Sequence, residues 1–239
     1  MSRVLLIRHA QASFLAPDYD RLSSIGETQA RRLGDYWAKR NVKFDRAYTG
    51  PRTRQSATAR IVALAYEDAR VHFPEPIVMA EFDEYHAEAV LRKAVPQLLG
   101  HDGAARELHD AYLASTSPDE QRKTFQRLFE LVIGKWVDGN VVVSDVETWT
   151  EFCARVNRGI SKVLCEAGSN EHVAVFSSGG PIAVAMQRAL NLSARDALRA
   201  SWMSRNCSYS EFLFSTGRFT LSAFNSFPHL DDGELLTYR

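Results

Sequence analysis

The chain is poor in cysteine, carries no excess of either charge and contains no long apolar run. Each absence removes a class of function. Its three cysteines, Cys153, Cys165 and Cys207, are odd in number and widely spaced, with no C-x-x-C pair. That pattern supports neither a disulfide framework nor a zinc knuckle. Lys plus Arg and Asp plus Glu are both 29, a formal net charge of zero. Nucleic-acid and membrane-surface binders draw on an excess of positive charge, so neither partner is expected. No stretch approaches the ~20 apolar residues that span a bilayer. The run from Val4 to Ile7 is too short for the apolar part of a signal peptide. A soluble, cytoplasmic protein is the expectation. A P-loop, a dinucleotide G-x-G-x-x-G and an H-E-x-x-H are all absent, and no cofactor or metal is expected.

What is present reads as an α/β protein. The 239 residues are 45% hydrophobic and 24% charged, enough for one large core with an insertion. Val4 to Ile7 is a buried strand of the kind found in parallel sheets. Ser24-Ile25-Gly26-Glu27 fits a capping box, with Ala30, Leu33 and Trp37 following at helical spacing. Phe44 to Tyr48 predicts a strand, Thr53 to Tyr66 a helix, and Pro76 to Phe82 contains a third strand. This β-α-β-α-β order implies a three-layer α-β-α domain with a mostly parallel sheet. Residues 86–137 break the rhythm. Phe125, Leu128, Phe129, Val132, Ile133 and Trp136 form a helical stripe, read as core packing within a helical insertion in a single domain spanning 1–239. Val141 to Val143 predicts a short strand or an extended edge. Thr148-Trp149-Thr150-Glu151 is a second capping box, His172 to Ser177 a strand, and Pro181 sits near the start of a helix. Phe212 to Ser215 and Phe219 to Phe224 flank Thr216-Gly217 as an antiparallel edge hairpin.

In an open α/β sheet, ligands bind beyond the carboxyl ends of the strands. Four segments lie there. Arg8-His9-Ala10-Gln11 leaves strand one; its guanidinium suits a phosphate, and an adjacent cation keeps imidazole neutral and nucleophilic. Thr49-Gly50-Pro51-Arg52-Thr53-Arg54 opens a helix, whose first amides attract anions. Glu81-Phe82-Asp83-Glu84-Tyr85-His86 offers a general acid. Phe176-Ser177-Ser178-Gly179-Gly180-Pro181 runs a strand through two glycines into a helix, allowing close backbone approach to a ligand.

Taken together, these segments resemble the histidine phosphatase, or phosphoglycerate mutase-like, superfamily. Arg8-His9-Ala10-Gln11 matches R-H-G-[EQ] at three of four positions. Leu22-Ser23-Ser24-Ile25-Gly26 matches L-[ST]-x-x-G, and Gly50 to Thr58 matches S-P-x-x-R-x-x-x-T at the proline, arginine and threonine. Asn225 and His229-Leu230 resemble the ending N-x-x-x-H-L. Leu15 stands where many members carry a phosphate-contacting asparagine. Ser178, within Val175 to Ile182, stands for the second histidine of V-x-H-G-G-x-I.

The resemblance implies a metal-independent phosphomonoester hydrolase in which His9 is phosphorylated. Arg8 and Arg54 clamp the phosphoryl group, leaving Arg52 outside. Gln11, Ser178, Gly179 and Gly180 bind phosphate. Glu81 is the first choice for proton donor, Glu84 its competitor, and His86 a possible compensating cation for the missing imidazole. The substrate is a phosphorylated small molecule or a phosphoprotein. Alternatives are a phosphoglycerate mutase-type phosphotransferase and a non-catalytic phospho-ligand-binding pseudophosphatase.

Overall fold

A computed structural model describes residues 1–13 and 20–238. The chain divides into two compact units, Met1–Glu84 with Arg155–Arg239, and Tyr85–Ala154.

The first unit is built on a six-stranded mixed sheet. Its strands are β1 (Ser2–Arg8), β2 (Arg46–Thr49), β3 (Ile77–Val78), β4 (His172–Ser177), β5 (Tyr209–Ser215) and β6 (Arg218–Ser226), in the order β3-β2-β4-β1-β5-β6. β3, β2, β4 and β1 pair in parallel, whereas β5 runs antiparallel to both β1 and β6. The hairpin turns at Thr216-Gly217, where Gly217 takes a φ of 72°.

Helices α1 (Ser24–Lys39) and α2 (Thr53–Asp68) cover one face. The strand's two-residue period sends Leu5 and Ile7 to that side, where they join Leu33, Trp37, Val62 and Tyr66 in a buried cluster. Val4 and Leu6 point the other way and meet Phe82, Ile160, Val163 and Val175. Ile160 and Val163 belong to α6 (Trp149–Glu166). Full burial of each aliphatic side chain is worth about 1.5–3 kcal/mol. Helix α7 (Gly179–Leu190) follows β4 directly, and α8 (Ala194–Trp202) packs on α7.

The second unit holds α3 (Ala87–His101), α4 (Gly103–Ala114) and α5 (Pro118–Val137). Tyr85, Trp136, Trp149 and Phe152 form its aromatic cluster, with ring centroids 5.2 to 6.2 Å apart.

Four details differ from the sequence reading. The cap of α1 is Ser23, not Ser24: its hydroxyl accepts the Gly26 amide at 3.0 Å. Two adjacent serines present the same signal, and the one whose backbone stays extended becomes the cap. Val141 to Val143 form no strand; Val141 and Val143 are buried around an exposed Val142, and no ladder pairs them. Strand β2 starts at Arg46 rather than Phe44, whose ring packs edge-on against Trp37. Helix α8 was not anticipated. By contrast, the Thr148 box closes as expected, with the Thr148 amide donating to Glu151 at 2.7 Å and the Glu151 amide to Thr148 at 3.2 Å.

Candidate active site

Parallel pairing brings the carboxyl ends of β1, β2 and β4 to one edge. Arg8 lies opposite Ser177, and Thr49 opposite Phe176. Backbone bonds carry this alignment past the strands: the His9 amide donates to Ser177 O at 2.8 Å, and Gly50 to Phe176 O at 2.9 Å. The Arg-His, Gly-Pro and Ser-Gly-Gly segments therefore meet along one edge.

His9 is buried at the centre of this edge. Its Nδ1 lies 2.8 Å from the Ala10 carbonyl. A carbonyl only accepts, so Nδ1 carries the proton and the neutral ring keeps its lone pair on Nε2. Arg54 donates its Nε–H to that atom at 3.1 Å. Burial, then the positive charges of Arg54 and Arg8, hold the imidazole well below its usual pKa, against a weaker opposing pull from the Ala10 carbonyl. The ring is thus a neutral base at pH 7 with its free lone pair aimed at a guanidinium.

Both arginines are held from outside. Arg8 donates Nη1 to the Ser204 carbonyl. The loop carrying Ser204 is tied by Asn225, which accepts the Arg205 amide at 2.8 Å and donates to Met203 O at 3.1 Å from a left-handed backbone (φ 54°). Arg54 pairs with Asp20 across 2.7 Å, and the same carboxylate accepts the Thr53 amide at 2.7 Å. Arg52 turns away to Asp83 at 2.5 Å.

Ser178 is fully buried and precedes α7. Its hydroxyl accepts from Gln55 Nε2 at 2.8 Å and keeps its own proton for donation. Gln55 is fully buried too, because Gly50 makes room: a Cβ there would lie 2.2 Å from Gln55 Oε1 and 2.6 Å from Phe82 O. The Gly180 amide donates to Glu84 Oε2 at 3.1 Å. A Cβ on Gly179 would meet only Ser201 O, at 3.9 Å.

Of the two candidate proton donors, Glu84 thus reaches the start of α7 beside Ser178. Glu81 faces α6, its Cβ 2.6 Å from where a Gly159 side chain would begin. Arg155 on α6 grips the intervening loop through the carbonyls of Ala80, Glu81 and Asp83 at 3.1 to 3.2 Å. Gln11 points to the cap of α1, accepting from Ser23 Oγ at 2.7 Å. His86 belongs to the second unit, just before α3. Leu15 lies outside the described residues.

Several supporting residues carried no sequence signal. The buried amides of Gln29 and Asn206 hold the segment that carries His9. Gln29 accepts the Gln11 amide at 2.9 Å and donates to Leu235 O and Thr237 Oγ1 at 2.8 and 2.9 Å. Asn206 donates to His9 O at 3.4 Å and accepts from Thr237 Oγ1 at 3.0 Å. Asp20, Gln55 and Arg155 were likewise unforeseen, because nothing in local spacing marks a partner dozens of residues away. No group of metal-binding side chains is found among the described residues, and no helix of the described chain is long and apolar enough to cross a membrane.

The histidine phosphatase superfamily (branch 1) family model matches residues 4–128 and 101–226. The chain belongs to this superfamily. Several solved structures share its fold at low identity. A phosphoserine phosphatase from Entamoeba histolytica, in complex with 3-phosphoglyceric acid, superimposes with a TM-score of 0.61 at 16% identity, covering 96% of this chain and 100% of its own. The phosphoglycerate mutase of Bacillus anthracis str. Sterne gives 0.61 at 16%, covering 98% and 96%. The YhfR protein of Bacillus stearothermophilus gives 0.65 at 16%, covering 97% and 100%. No curated protein matches the sequence. Membership of the superfamily makes phosphatase-type chemistry the general expectation; at this identity the structural likeness is one of fold.

Proposed function

We propose that the protein hydrolyses phosphomonoesters through a phosphohistidine on His9, without a metal. The observation that carries this is the fixed imidazole: Nδ1 is tied to the Ala10 carbonyl, and Nε2 accepts from Arg54. A buried histidine with a merely structural role has no need of a guanidinium at its lone pair. Nε2 attacks phosphorus, the P–O bond to the leaving group breaks, and water later cleaves the P–N bond. Arg8 and Arg54 balance the charge on the phosphoryl oxygens, and Ser178 donates one hydrogen bond. Phosphoryl transfer relies chiefly on such positioning and charge, and the covalent route divides one displacement into two. Glu84, placed at the Gly180 amide, is the proton donor to the leaving oxygen and then the base for water, in preference to Glu81.

The test incubates the protein and a His9→Ala variant with an aryl phosphate in the presence of a chelator. Turnover and an acid-labile phosphoprotein are expected from the first alone. Equal turnover by both would remove His9 from the mechanism. Turnover by neither would make the protein a phospho-ligand binder, and dependence on a bisphosphorylated primer would make it a mutase. An alkyl phosphate, whose poor leaving group needs a proton, should expose Glu84→Gln far more than Glu81→Gln.

A further inference from the structure

The start of α2 offers two attractions to an anion: the amide of its first residue, Thr53, and the Arg54 guanidinium. The protein's own Asp20 answers both. Its Oδ1 lies 2.7 Å from Arg54 Nη1, and its Oδ2 accepts the Thr53 amide at 2.7 Å. The pair is lopsided in exposure. The Arg54 side chain is 8% exposed and that of Asp20 31%, so the carboxylate lies on the solvent side and can leave while the arginine stays. Arg54 meanwhile presents Nε, a different nitrogen, to His9. A phosphoryl group bound at His9 would draw on the same guanidinium that Asp20 already neutralises.

We propose that Asp20 is an internal competitor for phosphate, a built-in anion that holds down the affinity of the site for phosphoryl groups and so speeds release of product. The inference rests on the reading of His9 and Arg54 as a phosphoryl site, and it predicts an effect opposite in sign to damage. Removing a helix cap or an arginine's support loosens a site; removing a competitor tightens it. Asparagine at position 20 keeps an oxygen for the Thr53 amide and loses the charge. A unit charge about 6 Å from a bound phosphate, at an effective dielectric constant of about 40, is worth about tenfold in binding.

The experiment titrates inorganic phosphate into the wild type, Asp20→Asn and Asp20→Ala by calorimetry at pH 7, with thermal unfolding of each. Both variants should bind phosphate about tenfold more tightly, and phosphate should inhibit their aryl phosphate turnover at correspondingly lower concentration, with KM falling as well. Binding by the wild type with no gain in either folded variant would overturn the role of Asp20 alone. No phosphate binding by any of the three would overturn the phosphoryl-site reading and this inference with it.

Discussion

His229 should make the fold acid-sensitive. The ring is 4% exposed, stacked 6.4 Å from Tyr209 and tilted against Tyr36 at 6.2 Å. Burial pushes its pKa from 6.5 to about 4, against a weak pull from the Cys207 backbone. The unfolded chain therefore binds a proton between pH 6.5 and 4 that the folded chain refuses. Stability is fully present above pH 6.5, declines as pH falls through this window and levels off below about pH 4. At about 1.36 kcal/mol per pKa unit, the loss is about 2 kcal/mol at pH 5 and about 3 kcal/mol at pH 4. His9, also depressed, adds a loss of the same sign. Urea unfolding of the wild type and His229→Phe at pH 7, 6 and 5 isolates the share of His229. Phenylalanine overfills the site at every pH, but that cost is constant. The wild type should lose about 2 kcal/mol more than the variant between pH 7 and pH 5. Parallel stability curves for the two proteins would refute the argument.

Other perturbations follow from the same contacts. Gly26→Ala should cost about 3 kcal/mol or more, because its Cβ would fall 2.1 Å from Gln11 O; a melting temperature within error of wild type would be incompatible with that approach. Ser23→Ala should lose about 1 kcal/mol and Ser24→Ala less than about 0.5, a ranking that chemical denaturation reads directly. Replacing Arg54 with methionine should raise the His9 pKa followed by NMR yet leave it below 6.5, since burial is the largest cause of its shift. Thr237→Val removes the hydroxyl that joins Gln29 to Asn206 and should cost about 2 kcal/mol, with a fall in turnover on aryl phosphate but unchanged helix content by circular dichroism.

Much of this architecture was legible from short-range pattern. The alternation in β1, the apolar spacing in α1 and the Thr148 box each contain their own signal within a few residues. His9 was singled out because the turn after its strand is a local motif, and Arg54 because the family resemblance prefers it to Arg52. What stayed hidden depends on partners distant in sequence. Asp20 matters only through Arg54, and Gln55 only through Ser178, 123 residues on. The different surroundings of Glu81 and Glu84 follow from a short 3-10 turn at Ala80–Phe82, which spacing in an extended loop does not reveal. Helix α8 is only nine residues long, and its charged residues obscure the small buried face of Ala197, Leu198 and Ser201.

The position of β1 constrains when the site can exist. Its two sheet neighbours, β4 and β5, begin at residues 172 and 209, and the amides beneath His9 are completed by Thr237. The segment carrying His9 therefore finds its sheet partners only across long stretches of intervening chain. Closing loops of this length is slow. Loss of the segment from Leu235 to Thr237 would therefore spare the motifs of the candidate site while removing the hydrogen bonds that hold Gln29 and Asn206 beneath His9.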